Sequence, residues 1–395
     1  MVTDLPFLLQ SMAWPLVLLL AWFLGERLHE AWQIPRVTSY VAVGLLASLI
    51  NLPGLTNAVP GLPFLANVAL SLVLFELGYR INLRWFRHNP WVLALGLVES
   101  VVTFAAVYLA SGFFNLPTDT RLIIAALSIS ASPAGIVRVA NELRSAGQVT
   151  ERVLHLCAIN CLVSVLALKL VIGYWYLSTS GDLLQAAFGS IHVLATSVAV
   201  GALLGVAMPA LLRSQRIQER DVTLVFALAV VLLTTMSYGL KLSPLLAALT
   251  FGIVARERRV HLTNAQRGFG TAGDLLTIFL FVYIAALLDW SEAGTGLVLG
   301  LVLIVVRTAA KVVCNVAAAR LSGSTERKGL LTGLALTPMS AFAILLLEQS
   351  RLYGFGPAGQ VLTVMAAMML VQELLGPLVT QRSLMAAAET HVTKE

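Results

Sequence analysis

The chain has 395 residues, of which 58% are hydrophobic and only 12% charged, and its mean hydropathy is +0.87. Soluble domains carry about 25% charged residues, so this composition excludes a soluble enzyme and describes a polytopic membrane protein. The net charge of +6 is spread over short segments between apolar runs, where it sets orientation in a bilayer and gives no nucleic-acid footprint.

A membrane-crossing helix needs about 20 mostly apolar residues. In chain order the apolar runs fall at about 5–25, 36–50, 62–80, 89–113, 120–141, 150–178, 184–212, 221–239, 242–256, 266–288, 293–319, 327–350 and 357–381. The first, Phe7 to Gly25, is long enough to span and has no small-residue cleavage site after it, so it reads as a membrane helix and not a leader. The second and ninth are short, consistent with tilted or partly re-entrant segments. Cys157, Cys161 and Cys314 all lie inside apolar runs, which argues against a disulfide framework. Cys157 and Cys161, one turn apart, share a helix face.

The connecting loops alternate in charge. One set holds Arg27/Arg36, Arg80/Arg84/Arg87, Arg138/Arg144/Arg152, Arg213/Arg216/Arg220, Arg256/Arg258/Arg259/Arg267 and Arg320/Arg327/Lys328, while the other set is poor in basic residues. Positive residues favour the cytoplasmic side, which predicts an external amino terminus and a cytoplasmic carboxyl terminus in a bacterial-type inner membrane. Trp85, Trp91, Trp175 and Trp290 fall near span ends, as an interfacial belt requires.

The fifth and twelfth runs are interrupted. One reads Ser128-Ile129-Ser130-Ala131-Ser132-Pro133-Ala134-Gly135, the other Leu336-Thr337-Pro338-Met339-Ser340-Ala341. Proline removes a backbone donor and breaks a helix, and a break in lipid survives only where protein or a wet cavity satisfies the freed groups. Paired breaks at matching places in two halves point to a substrate site in a secondary transporter. Thirteen helices allow two inverted six-helix repeats, residues 1–182 and 216–383, joined by a linker helix at 183–215 and followed by a short tail at 384–395. The broken helices would cross. A second echo supports this division: Ile34-Pro35-Arg36-Val37-Thr38-Ser39-Tyr40-Val41-Ala42-Val43-Gly44 is similar to Leu242-Ser243-Pro244-Leu245-Leu246-Ala247-Ala248-Leu249-Thr250-Phe251-Gly252.

Several stretches resemble the cation:proton antiporter superfamily, in its bacterial sodium(potassium)/proton exchanger branch. They are Ile34 to Gly44, Leu74-Phe75-Glu76-Leu77-Gly78-Tyr79-Arg80, Ser130 to Glu142, Ala158-Ile159-Asn160, Gly329 to Ile344 and Glu373-Leu374-Leu375-Gly376-Pro377. The resemblance implies exchange of sodium or potassium for protons, a homodimer, and a core that moves like an elevator against the dimer scaffold. It also implies an aspartate after Asn160, where this chain has Cys161, a thiol ill-suited to hard alkali cations. An arginine and an acid after the second proline are replaced by Met339, Ser340 and Ala341, and an acid near the third span's end by Arg80.

Ionisable residues inside spans are functional candidates. Ser130, Ser132, Asn160, Cys161 and Thr337, with Arg307 and Lys311, form the candidate ion or substrate site. In the family a basic residue at Lys311 pairs with the missing aspartate. Glu373, Glu76 and Glu99 are candidate proton carriers; Glu76 could instead pair with Arg80, four residues on. Lys169 either bridges to Glu373 or Glu99 or meets substrate, and Asp274 reads as a helix-end residue. No resident metal or cofactor, catalytic triad, phosphate loop or nucleotide fingerprint is indicated. The leading expectation is a monovalent cation/proton antiporter with a displaced acid. A transporter of an anion or other solute, using the positive charge of Arg307 and Lys311, and a non-transporting sensor or regulatory subunit on the same scaffold stand as alternatives.

Overall fold

The computed structural model describes residues 5–50, 61–180, 183–215, 219–258, 262–263, 266, 268–287, 296–339, 341–351 and 358–390. Every regular element among them is a helix: α1 (Leu5–Trp32), α2 (Arg36–Leu49), α3 (Leu62–Arg80), α4 (Leu83–His88), α5 (Pro90–Gly112), α6 (Thr118–Ile129), α7 (Pro133–Glu142), α8 (Gln148–Ser180), α9 (Leu183–Gln215), α10 (Glu219–Gly239), α11 (Pro244–Glu257), α12 (Gly270–Ala286), α13 (Leu297–Ala317), α14 (Glu326–Ala335), α15 (Ala341–Arg351) and α16 (Ala358–Ala386). Among the described residues eight helical segments are long and apolar enough to cross a membrane, so this is a multi-pass membrane protein. Within lipid a helix meets its own backbone donors and acceptors, which is why apolar runs of this length become helices.

The predicted runs match these helices closely, and the two interrupted ones break where proline dictates. α6 stops at Ile129 and α7 starts at Pro133, with Ser132 Oγ capping the new helix by accepting from Gly135 N at 3.2 Å. α14 stops at Ala335 and α15 resumes at Ala341. One element departs from the sequence reading. The Arg84/Arg87 stretch is not simply loop but the short helix α4, started by Asn82, whose side-chain oxygen accepts from the backbone of Arg84 and Trp85.

Two groups of helices emerge from the packing. In one, α11 lies against α3, α9 and α10, and α12 against α1, α2 and α3. In the other, α5 and α13 lie against each other, and α6, α8, α14 and α16 close around them. The groups meet where α7 faces α3 and α16 faces α2.

Four pairs of helix starts share one spacing along the chain. Pro244 opens α11 208 residues after Arg36 opens α2; Gly270, Glu326 and Ala341 likewise begin 208 residues after Leu62, Thr118 and Pro133. Burial follows the same register: Val92, Leu95, Glu99, Thr103 and Val107 form the inward stripe of α5, and Gly300, Leu303, Arg307, Lys311 and Asn315, each 208 residues further, form that of α13. Close backbone contacts repeat too. A Cβ on Gly44 of α2 would strike the carbonyl of Val282 on α12, and one on Gly252 of α11 would strike that of Phe75 on α3.

Candidate functional site

The unwound segments touch directly. Ser132 N donates to the carbonyl of Pro338 at 2.8 Å, tying one break to the other. Arg307 of α13 fills the space beside this contact. Its Nε donates to Ser128 O at 2.7 Å, one terminal nitrogen to Ser130 O at 2.5 Å, and the other to Thr337 O. These carbonyls lie at the carboxyl ends of α6 and α14, each of which carries about half a negative charge from aligned peptide dipoles. Two such ends balance one guanidinium.

Lys311, one turn further along α13, meets a carboxylate. Its Nζ lies 2.5 Å from Glu99 Oε1 on α5 and 3.1 Å from Ile129 O at the end of α6. Both side chains of the pair are fully buried. Burying an ion costs several kcal/mol after relaxation, so a dry charge persists only when paired. The centre thus contains Arg307 against two helix ends and Lys311 against Glu99.

The other predicted site residues surround this centre. Cys161 Sγ donates to Ala131 O at 3.6 Å, so the thiol stands at the first break. The hydroxyls of Ser130 and Thr337 donate to their own helix carbonyls, Leu127 O and Leu334 O, both at 2.8 Å. Asn160 lies against Ser100 of α5. Ser100 Oγ is 2.7 Å from Gly96 O and 3.1 Å from the Asn160 side-chain oxygen, yet a hydroxyl has a single proton to give. The shorter bond takes it. Asn160 Nδ2 is buried with no hydrogen-bond partner; assigning the amide the other way round lets its NH2 donate to Ser100 and puts its oxygen in that unpartnered position.

The remaining acids lie elsewhere. Glu76 pairs with Arg80 at 2.8 Å and accepts from Asn141 at 2.9 Å, at the edge of a cavity of about 610 Å³ between α3, α7 and α12. Arg80, Arg138, Asn141, Asp274 and Thr277 also line it, and it reaches in to Ala134, one residue past the first break. Arg138 of α7 pairs with Asp274 of α12 and lies 3.6 Å from Glu142, which is 4.0 Å from Arg36. Asp274 is therefore a partner across the two helix groups. Glu373 is buried where α16 faces α2 and α12. Lys169 is buried on α8, and Glu99 Oε1 is paired with Lys311. Ser340 and Trp290 lie outside the described residues.

Sequence reasoning did not single out Ser100 or Thr103, which share the inward stripe of α5 with Glu99. The signal was available in the 208-residue register, which aligns Glu99 with Arg307 and Thr103 with Lys311.

Crossed, unwound helices around a buried ion pair define a membrane transporter of the ion-exchanging class. A family model described as "Sodium/hydrogen exchanger, transmembrane" matches residues 16–386, and the chain belongs to that family. It is 25% identical over 380 residues to the ammonium/H(+) antiporter subunit AmhT of Alkalihalophilus pseudofirmus, covering 93% of this chain and 90% of that one. Two structures of the sodium proton antiporter MjNhaP1 from Methanocaldococcus jannaschii share its fold. One has a TM-score of 0.68 at 14% identity and covers 96% of this chain and 99% of that chain; the other has 0.71 at 16%, with 94% of each covered.

Proposed function

We propose that this protein is a secondary antiporter that exchanges one monovalent cation, sodium, potassium or ammonium, for a proton at the Glu99–Lys311 pair. The observation that carries the reading is the 2.5 Å contact between two fully buried, opposite charges beside the first break. A second positive charge cannot enter that dry site while Lys311 is protonated, because like charges at a few ångströms in low dielectric repel by several kcal/mol. Once Lys311 gives up its proton, Glu99 is an unpaired carboxylate and a cation takes the ammonium's place. Cation and proton thus exclude each other, which is the requirement for exchange. Three N–H groups of Arg307 already bind backbone carbonyls and two of Lys311 bind Glu99 and Ile129 O, so the geometry favours this reading over an anion carrier.

The 208-residue register supports two inverted repeats, 1–182 and 216–383, with α9 between them. In this reading α5–α8 and α13–α16 form a mobile core, and α1–α3 with α9–α12 a scaffold that dimerises. The cavity is bordered by Arg80, Arg138 and Arg144, and this concentration of positive charge favours a cytoplasmic opening with the amino terminus outside. Core movement would exchange the contacts of Arg138 with Asp274 and of Asn141 with Glu76.

The test is flux in proteoliposomes carrying a pH dye. Sodium, potassium or ammonium should drive proton movement in wild type, and Glu99→Gln and Lys311→Gln should abolish it in protein that remains folded. Flux that persists in both variants, or that follows chloride instead of the cation, contradicts the proposal.

A further inference from the structure

Unwound carbonyls at a helix crossing are the obvious ligands for a bare cation, but here Arg307 occupies them. Its guanidinium binds Ser128 O, Ser130 O and Thr337 O, and the neighbouring hydroxyls of Ser130 and Thr337 are turned onto their own helices. Oxygens without partners are found instead on and opposite α5. Glu99 Oε2 and Thr103 Oγ1 are both buried and make no hydrogen bond. Glu99 and Thr103 are each 0% exposed, and unpaired polar atoms at that depth are unfavourable unless something fills the gap. The unpartnered amide position of Asn160, an oxygen under the assignment above, is a third.

Helix geometry gathers these atoms. Ser100 faces Asn160 and Glu99 faces Lys311. Thr103 is four residues from Glu99 and three from Ser100, so it lies one turn on and between those two directions. A carboxylate, a hydroxyl and an amide oxygen are hard ligands of the kind that alkali and ammonium ions accept.

We propose that the transported cation is bound on α5, by Glu99 Oε2 and Thr103 Oγ1 with the Asn160 oxygen opposite, while Arg307 acts as a tethered cation that keeps the unwound carbonyls closed to it. The ligand class is a dehydrated monovalent cation. The assignment rests on the antiport reading but is separable from it: Thr103 carries no charge and exchanges no proton in that scheme, so it affects cation affinity alone.

The experiment titrates purified full-length protein with sodium, potassium and ammonium chloride against choline chloride at constant ionic strength, following thermal unfolding, and repeats the series for flux in vesicles. Wild type should show saturable stabilisation by at least one of the three cations. Thr103→Val, which keeps the shape and removes the oxygen, should weaken apparent affinity about tenfold and raise the cation KM by a similar factor. Thr103→Ser, which restores the hydroxyl, should recover wild-type affinity and controls for loss of packing. Unchanged affinity in Thr103→Val, or equal loss in the Val and Ser variants, overturns the assignment. If Glu99→Gln stops flux while Thr103→Val binds as wild type does, antiport stands and the α5 site falls. If wild type binds cations through Thr103 but moves no protons, the site stands and antiport falls.

Discussion

Removing one member of the Glu99–Lys311 pair is predicted to be far more damaging than removing both. At 2.5 Å and an effective dielectric of about 20, the attraction is about 6–7 kcal/mol. Desolvation of the two ions offsets much of it, so the pair adds little net stability, yet a lone buried charge left behind costs about 3–5 kcal/mol. Glu99→Gln and Lys311→Met should each lower unfolding free energy by that amount. The double variant should be within about 1–2 kcal/mol of wild type, giving a coupling energy of about 3 kcal/mol or more in a double-mutant cycle. The assay is reversible unfolding in mixed detergent micelles, with a ligand-free buffer so that cation binding does not contribute. Additive losses, with the double variant worse than either single one, would refute the claim that these side chains are charged and mutually compensating.

Arg307→Ala should destabilise more than Lys311→Met, because three carbonyls at the break lose a charged donor worth about 1.5–3 kcal/mol each, and a thermal melt will show it. Gly252→Ala should cost about 1–3 kcal/mol through overpacking, since the new methyl meets the Phe75 carbonyl; Gly239→Ala, whose Cβ would meet nothing, serves as the control in the same melt. Glu389 near the end of the described chain accepts from Val149 N and Thr150 N at 2.8 Å and from Thr150 Oγ1 at 2.9 Å, capping α8. Glu389→Ala should therefore lower stability by about 1–2 kcal/mol and speed amide exchange at the start of α8, with Glu389→Gln intermediate.

Much of the architecture was legible because its causes are local. Apolar length specifies the helices, Pro133 and Pro338 specify the breaks, and the likeness of the Ile34 and Leu242 segments already carries the 208-residue spacing that the helix starts obey. The short helix α4 was missed because its signal is one asparagine cap at Asn82 between charged residues. The centre itself was only half legible. The sequence names Glu99, Arg307 and Lys311 as costly residues to bury, but no pattern says that Lys311 reaches across 212 residues to Glu99 while Arg307 takes backbone carbonyls. That choice depends on how α5 and α13 cross. Hydroxyls were harder still: Ser130 and Thr337 look like ligands in sequence, and only coordinates show them bonded to their own helices while Thr103 is left without a partner.

The claim that cation and proton compete at one buried pair is tested most directly by proton release from purified protein in weakly buffered solution. Addition of a saturating transported cation should release about one proton per bound ion. Apparent cation affinity should rise with pH, by about tenfold per unit, for as long as Lys311 must lose its proton to admit the ion. The release should vanish in Lys311→Met. Cation binding that is independent of pH and releases no proton, or a release that survives in Lys311→Met, would contradict the account.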